Sequence, residues 1–307
     1  MIKADRNLKV LKMKIQQLTV LILLSFALLI GCNNQQKKTN DGFKFEEDLK
    51  KSDIEITKSF IYLFPSPGEI LDRFQEAQLA FDPEALHDPT HEDRYLTSRD
   101  KALNLGVYLT DMAYASLFDR STISVDFLDA IQNLSVDLNV STSVFESLIE
   151  RAKENMGVRD SLVDISNEVF YNMIEFLEGS GQENTIAIIS CGAYVESMYL
   201  AMNAVDSYDE KNPILKQITE LQYPMENLLG HAESVSSDPN VQSILNYIKQ
   251  LNDVFSELES ESSTATVSEP GVINLTGGTA PELTEENFDV MKEKVMSIRQ
   301  LIIGTKS

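Results

Sequence analysis

Apolar side chains in this chain return every three or four residues, in one segment after another. Leu162, Ile165, Val169, Met173 and Leu177 step this way. So do Val241, Ile244, Ile248, Leu251, Phe255 and Leu258, and so do Phe288, Met291, Val295, Ile298 and Ile302. The spacing lines up one apolar stripe on a helix and scatters the same residues over both faces of a strand. Leu128, Ile131, Leu134 and Leu138 continue the pattern over 122–138, and it returns over 144–156. We find no alternating apolar and polar run long enough for a strand. Glycine (13) and proline (9) are scarce in 307 residues, which disfavours sheets joined by tight turns. The expected fold is all-α, a compact bundle of roughly eight to ten antiparallel helices. A stack of TPR-like helical hairpins is the alternative, although no repeat of a few tens of residues is visible.

Capping residues set the helix starts. Ser66-Pro67-Gly68-Glu69 places a serine cap before a first-turn proline, with an acid three residues after the cap. Thr97-Ser98-Arg99-Asp100 opens a helix running to about Phe118. Asn212-Pro213 and Asp238-Pro239 open two more, and Pro224 should kink or split the first of these. A helix is also expected around Glu46 to Leu63. The run from Ile186 to Ala204 is apolar on nearly all sides, as suits a central helix buried round its circumference. Residues 259–282 carry Pro270, Gly277-Gly278 and Pro281 among serines and threonines, and read as a long surface loop. A single helical domain is expected over 43–307.

The amino end has a different character. Lys3, Arg6, Lys9, Lys12 and Lys14 precede Leu18 to Ile30, an uncharged, mostly apolar run of thirteen residues. A membrane-spanning helix needs about 20 residues, so this run has the length of a signal-peptide core. It ends in Leu29-Ile30-Gly31-Cys32, which resembles the lipobox of bacterial lipoproteins. That resemblance implies a signal peptide over 1–31, cut before Cys32, and a diacylglycerol with further acyl chains such as palmitate on Cys32. Met13 offers a second start site, since Met13 to Cys32 alone has the usual length of such a signal. Acyl chains contribute about 0.8 kcal/mol per buried methylene, so two or three hold a domain on a bilayer. No later stretch reads as long and apolar enough to span one. Residues 32–42 are polar and read as a flexible tether.

Removing residues 1–31, with five basic side chains and one acid, leaves 21 basic against 47 acidic residues, a net charge of −26. Such a surface repels nucleic-acid phosphate and anionic headgroups alike. Cys191 is then the one remaining cysteine, so no intramolecular disulfide is expected, and its apolar surroundings make it an inert thiol.

Chemical motifs are sparse. Glu84 and His87 have the spacing of a carboxylate-bridged di-iron motif, but a second copy is missing: Leu228 stands three residues before His231. Pro89 breaks the helix that would put His87 and His91 on one face, and the segment reads as a solvated acidic loop with no metal. No nucleotide-binding, hydrolase or cofactor motif occurs, and no cofactor is expected. Two polar and aromatic stripes stand out on otherwise apolar helices. One holds Asn104, Tyr108 and Asp111; the other holds Gly192, Glu196, Tyr199 and Asn203. If they face each other, Asn104, Tyr108, Asp111, Glu196 and Tyr199 line a candidate ligand cleft with a carboxylate pair. A solvated helix face and a buried structural network are the competing readings.

Tyr95 to Ala115 and Gly192 to Ala201 together resemble stretches of a group of all-helical bacterial lipoproteins. The resemblance spans about residues 60–255, supports the fold and the anchor, and assigns no activity. The expectation is a cell-envelope protein, lipid-anchored through Cys32, with the outer membrane favoured. Its helical domain would bind an envelope protein or a small solute. The alternative is an enzyme using Asp111 and Glu196 in a helical cleft.

Overall fold

A computed structural model describes residues 64–258, 264–269, 272–276 and 282–304. These belong to the second of two units in the chain, 58–307; the first, 1–57, lies outside the described residues. The signal peptide, Cys32, the tether and the helix expected at 46–63 therefore also lie outside them.

Local capping chemistry fixes most helix starts. α1 (Pro67–Glu76) opens with a complete capping box: Ser66 Oγ accepts from the Glu69 N–H, and the Glu69 carboxylate accepts from the Ser66 N–H. α2 (Ser98–Leu117) is capped by Thr97, whose hydroxyl accepts from the Asp100 N–H. α3 (Ser121–Asp137), α4 (Glu146–Glu154) and α5 (Arg159–Gly179) follow, then α6 (Glu183–Asn203). Asn212 and Asp238 cap α7 (Pro213–Glu220) and α9 (Pro239–Ser256), each with proline at the first position. Between them lies α8 (Gln222–Ser234). The break at Leu221 separates α7 from α8, three residues before Pro224, whose missing N–H is harmless in a first turn. α10 (Glu285–Ile303) closes the series, ending at Gly304 with φ 71°. These helices thus form an all-α bundle.

α2 and α6 form its centre. Sixteen residues of each are buried, and no other pair of helices among the described residues is in more extensive contact. α3, α5 and α1 pack on α2, while α9, α8 and α10 pack on α6. The two central helices meet backbone to backbone. A Cβ built on Gly106 would lie 2.1 Å from the Ile189 carbonyl oxygen, and one on Gly192 2.0 Å from that of Leu103. No side chain fits there, so glycine is the only residue that permits this approach.

Two expectations need correction. Residues 259–282 are not simply a loop: β1 (Thr264–Glu269) and β2 (Val272–Thr276) pair antiparallel, with Thr264 opposite Thr276 and Val267 opposite Ile273. The register is irregular between Val267 and Glu269. The β-branched residues and the Pro270-Gly271 pair between the strands are a hairpin signal that serine and threonine content obscured. Also, α6 is long and apolar enough to cross a membrane by length and composition, contrary to the sequence reading. Within the bundle its most apolar window is 89% buried, so burial in protein accounts for the same composition.

The helix crossing yields a paired test. Gly192→Ala forces a methyl into the Leu103 backbone, and overpacking of this kind costs about 1–3 kcal/mol or more. Gly230→Ala, in α8 with nothing within 4 Å of its Cβ, should be neutral or stabilising by up to about 1 kcal/mol. Urea unfolding of the two variants measures the contrast.

Candidate functional site

The α2–α6 contact carries two acids into the interior. Asp111 lies five residues beyond Gly106, and Glu196 four beyond Gly192, so both sit about one turn past the glycine contact. Both side chains are fully buried. The solvated-face reading of these stripes is therefore wrong for Asp111 and Glu196. Isolated buried carboxylates would be prohibitively costly, so their partners decide the chemistry.

Arg299 of α10 supplies the charge. Its Nε and one Nη donate to the two oxygens of Glu196 at 2.8 and 2.9 Å, a bidentate pair. The same Nη donates to the Ala85 carbonyl at 2.9 Å. The guanidinium also lies 3.8 Å from the Tyr199 ring centroid, a cation–π contact with a half-buried tyrosine. Burial alone would depress the arginine's pKa, but the adjacent Glu196 carboxylate outweighs it and keeps the cation.

One cation faces two acids. Burial pushes both carboxyl pKa values up, and the Glu196 charge pushes Asp111 further. Arg299 draws Glu196 back towards its ionised form through both charge and hydrogen bonds. We therefore assign the carboxylate to Glu196 and the proton to Asp111. Asp111 Oδ2 accepts the His87 N–H at 2.9 Å, while Oδ1 accepts no hydrogen bond from the protein. A protonated Oδ1 donating to Glu196 satisfies that otherwise orphaned atom.

His87 extends the cluster outward. Its ring stacks on Tyr108 with centroids 5.4 Å apart and planes 12° apart, and its Nε2 lies 2.5 Å from the Tyr95 hydroxyl. Burial, reinforced by the Arg299 charge, lowers its pKa to about 3, so it is neutral at physiological pH. The expected solvated loop around His87 is thus in part a packed segment: short 3₁₀ turns at Pro83–Ala85 and Pro89–Arg94 flank a buried imidazole. Tyr108 donates to the Asp88 carbonyl at 3.1 Å. Burial raises the Tyr95 and Tyr108 hydroxyls above the ordinary tyrosine range, and both stay protonated.

The structure brings together Tyr108, Asp111, Glu196 and Tyr199 of the five cleft candidates. Asn104 is turned elsewhere: its Nδ2 donates to the Asp100 and Ile302 carbonyls, both at 2.9 Å, and fastens α2 to the end of α10. Arg299 and His87 are the members that sequence reading missed. Arg299 follows Val295 by four residues and so falls beside the apolar stripe of its helix, which was the available signal. The cavities lined by Glu92 and Tyr95, by Phe64 and Tyr171, and by Tyr247 and Leu301 do not include either acid. No group of three or more His, Cys, Asp or Glu side chains among the described residues could hold a metal ion. Cys191 is buried and pushed up to about 12, far from a reactive thiolate. The arrangement acts as a neutralised clamp joining α2, α6, α10 and the 85–87 backbone. Comparison with family models, curated proteins and solved structures found no match.

The clamp makes two predictions. Arg299→Met leaves Glu196 buried without its cation, and losing one partner of a buried pair costs about 3–5 kcal/mol. Chemical denaturation should show this loss, and Arg299→Lys should recover only part of the stability, since an ammonium cannot bind bidentately. The pH dependence has two windows. His87 is depressed on folding, so its contribution is complete above pH 6.5 and is lost as pH falls towards 3. Asp111 is raised on folding, so its contribution is complete below its ordinary pKa of 3.8 and is lost as pH rises from there. His87→Gln should flatten the acid-side loss, and Asp111→Asn the loss on the alkaline side. Unfolding free energies measured from pH 3 to 9 test both signs.

Proposed function

We propose that this chain is a lipid-anchored cell-envelope protein whose helical body is a binding or scaffolding module. The observation that carries the reading is the order of elements at the amino end: basic residues, a thirteen-residue apolar run, then Leu29-Ile30-Gly31-Cys32. In that order, Cys32 would take the acyl chains and residues 33–42 would space the body from the bilayer. The surplus of acidic side chains suits a body held off anionic headgroups.

A module rather than an enzyme is the better reading of the body. A general acid and base must reach a substrate proton. Asp111 and Glu196 are both sealed in the interior, Glu196 locked to Arg299 and Asp111 accepting the His87 N–H, and this favours a structural role over the catalytic alternative.

Metabolic labelling with an alkyne fatty acid, followed by mass spectrometry of the mature amino terminus, tests the anchor. The expected product begins at an acylated Cys32 and enters the detergent phase on Triton X-114 partition. Cys32→Ser should abolish labelling and retain residues 1–31. A free Cys32 thiol on the purified wild-type product would contradict the reading.

A further inference from the structure

We infer that the groove between the Pro89–Arg94 turn and the carboxyl end of α3 binds a basic, apolar-flanked peptide segment of a partner protein. The inference rests on the reading of the body as a binding module and assigns that module its face. The groove is a cavity of about 400 Å³ beside the start of α2.

Its polar wall is unbalanced. Glu92 Oε1 accepts from Asn133 Nδ2 at 2.8 Å, which fixes the carboxylate in one orientation. The other oxygen, Oε2, is buried and accepts no hydrogen bond from the protein. A carboxylate fixed in the groove wall presents an opposite charge to an incoming ammonium or guanidinium. The cation already in the groove, Lys101, is engaged by Asp137 at 2.5 Å. Glu92 and Asp93 form no ion pair among the described residues, so the groove keeps negative charge where a basic side chain would enter.

Its rim is apolar. Leu96 is 85% exposed and Val136 46% exposed, and both line the same cavity. Leu96 is the most exposed large hydrophobic side chain among the described residues. Tyr95 forms an aromatic wall between them and the interior, its hydroxyl held by His87. An acidic floor with an aliphatic rim complements a lysine or arginine next to a leucine-like residue. It does not complement an anionic headgroup or a nucleic-acid phosphate. The charge sign therefore selects a basic peptide over a membrane or nucleic-acid surface.

Fluorescence polarisation at physiological salt, with a labelled decapeptide of alternating leucine and lysine, tests this on the full chain. The double variant Glu92→Gln/Leu96→Ser should bind at least tenfold more weakly. The distal control Asp206→Asn/Glu210→Gln removes two exposed acids outside the groove and should change affinity less than twofold. Circular dichroism should show both variants folded, as expected for substitutions at partly or fully exposed positions. No wild-type binding, equal losses in both variants, no loss in the groove variant, or equal binding of a leucine–glutamate decapeptide would each overturn the inference. Failure here with an acylated Cys32 removes the groove and leaves the anchor standing. A free Cys32 thiol with intact groove binding does the reverse.

Discussion

Two glycines facing each other across a helix crossing govern this bundle. Gly106 and Gly192 let α2 and α6 approach until each would drive a Cβ into the other's backbone. Close approach of two apolar helices would by itself be ordinary packing. Here it has an electrostatic consequence, because Asp111 and Glu196 follow one turn later and enter the same dry interior. The interior then needs a cation, and α10 delivers Arg299 from 103 residues further along the chain than Glu196. Packing at the glycines and charge balance at the acids are thus two parts of one constraint, and Arg299 ties α10 to the acids.

The cluster also explains why polar side chains here need not signal catalysis. A catalytic carboxylate pair keeps one member accessible and lets its proton move to a substrate. In this bundle the proton on Asp111 serves to make one cation sufficient for two acids. His87 donates its backbone N–H to Asp111, while its neutral ring packs on Tyr108 and meets Tyr95. The Arg299 Nε and one Nη, the His87 backbone N–H and the Tyr108 hydroxyl are all engaged within the protein, which favours a single packed arrangement of four chain segments. By contrast, the Glu92 groove sets a carboxylate fixed by Asn133 beside an exposed apolar rim, and it is there that recognition is expected.

What could be read from sequence follows the range of each interaction. The Ser66, Asn212 and Asp238 caps and their following prolines are local, and the helices begin where those residues say. The all-round apolar run at 186–204 marked the central helix for the same reason. The convergence of Asp111 with Glu196 was legible as two stripes, but whether they faced solvent or each other depended on Gly106 and Gly192 meeting, a non-local fact. Arg299 resembled one more surface basic residue, since its partner lies far away in sequence. The hairpin at 264–276 escaped because short β-branched strands within a serine- and threonine-rich stretch show little periodicity.

The protonation state of Asp111 tests the sealed, charge-balanced interior most directly. Carbon-13 NMR of the side-chain carboxyl, titrated from pH 3 to 9 in the folded protein, reads it without perturbing the cluster. The charge-balanced interior predicts an Asp111 midpoint well above that of exposed aspartates, with its resonance unchanged through the range where they titrate. A midpoint near the ordinary aspartate value of about 4 would show a solvated, ionised carboxylate and contradict the clamp.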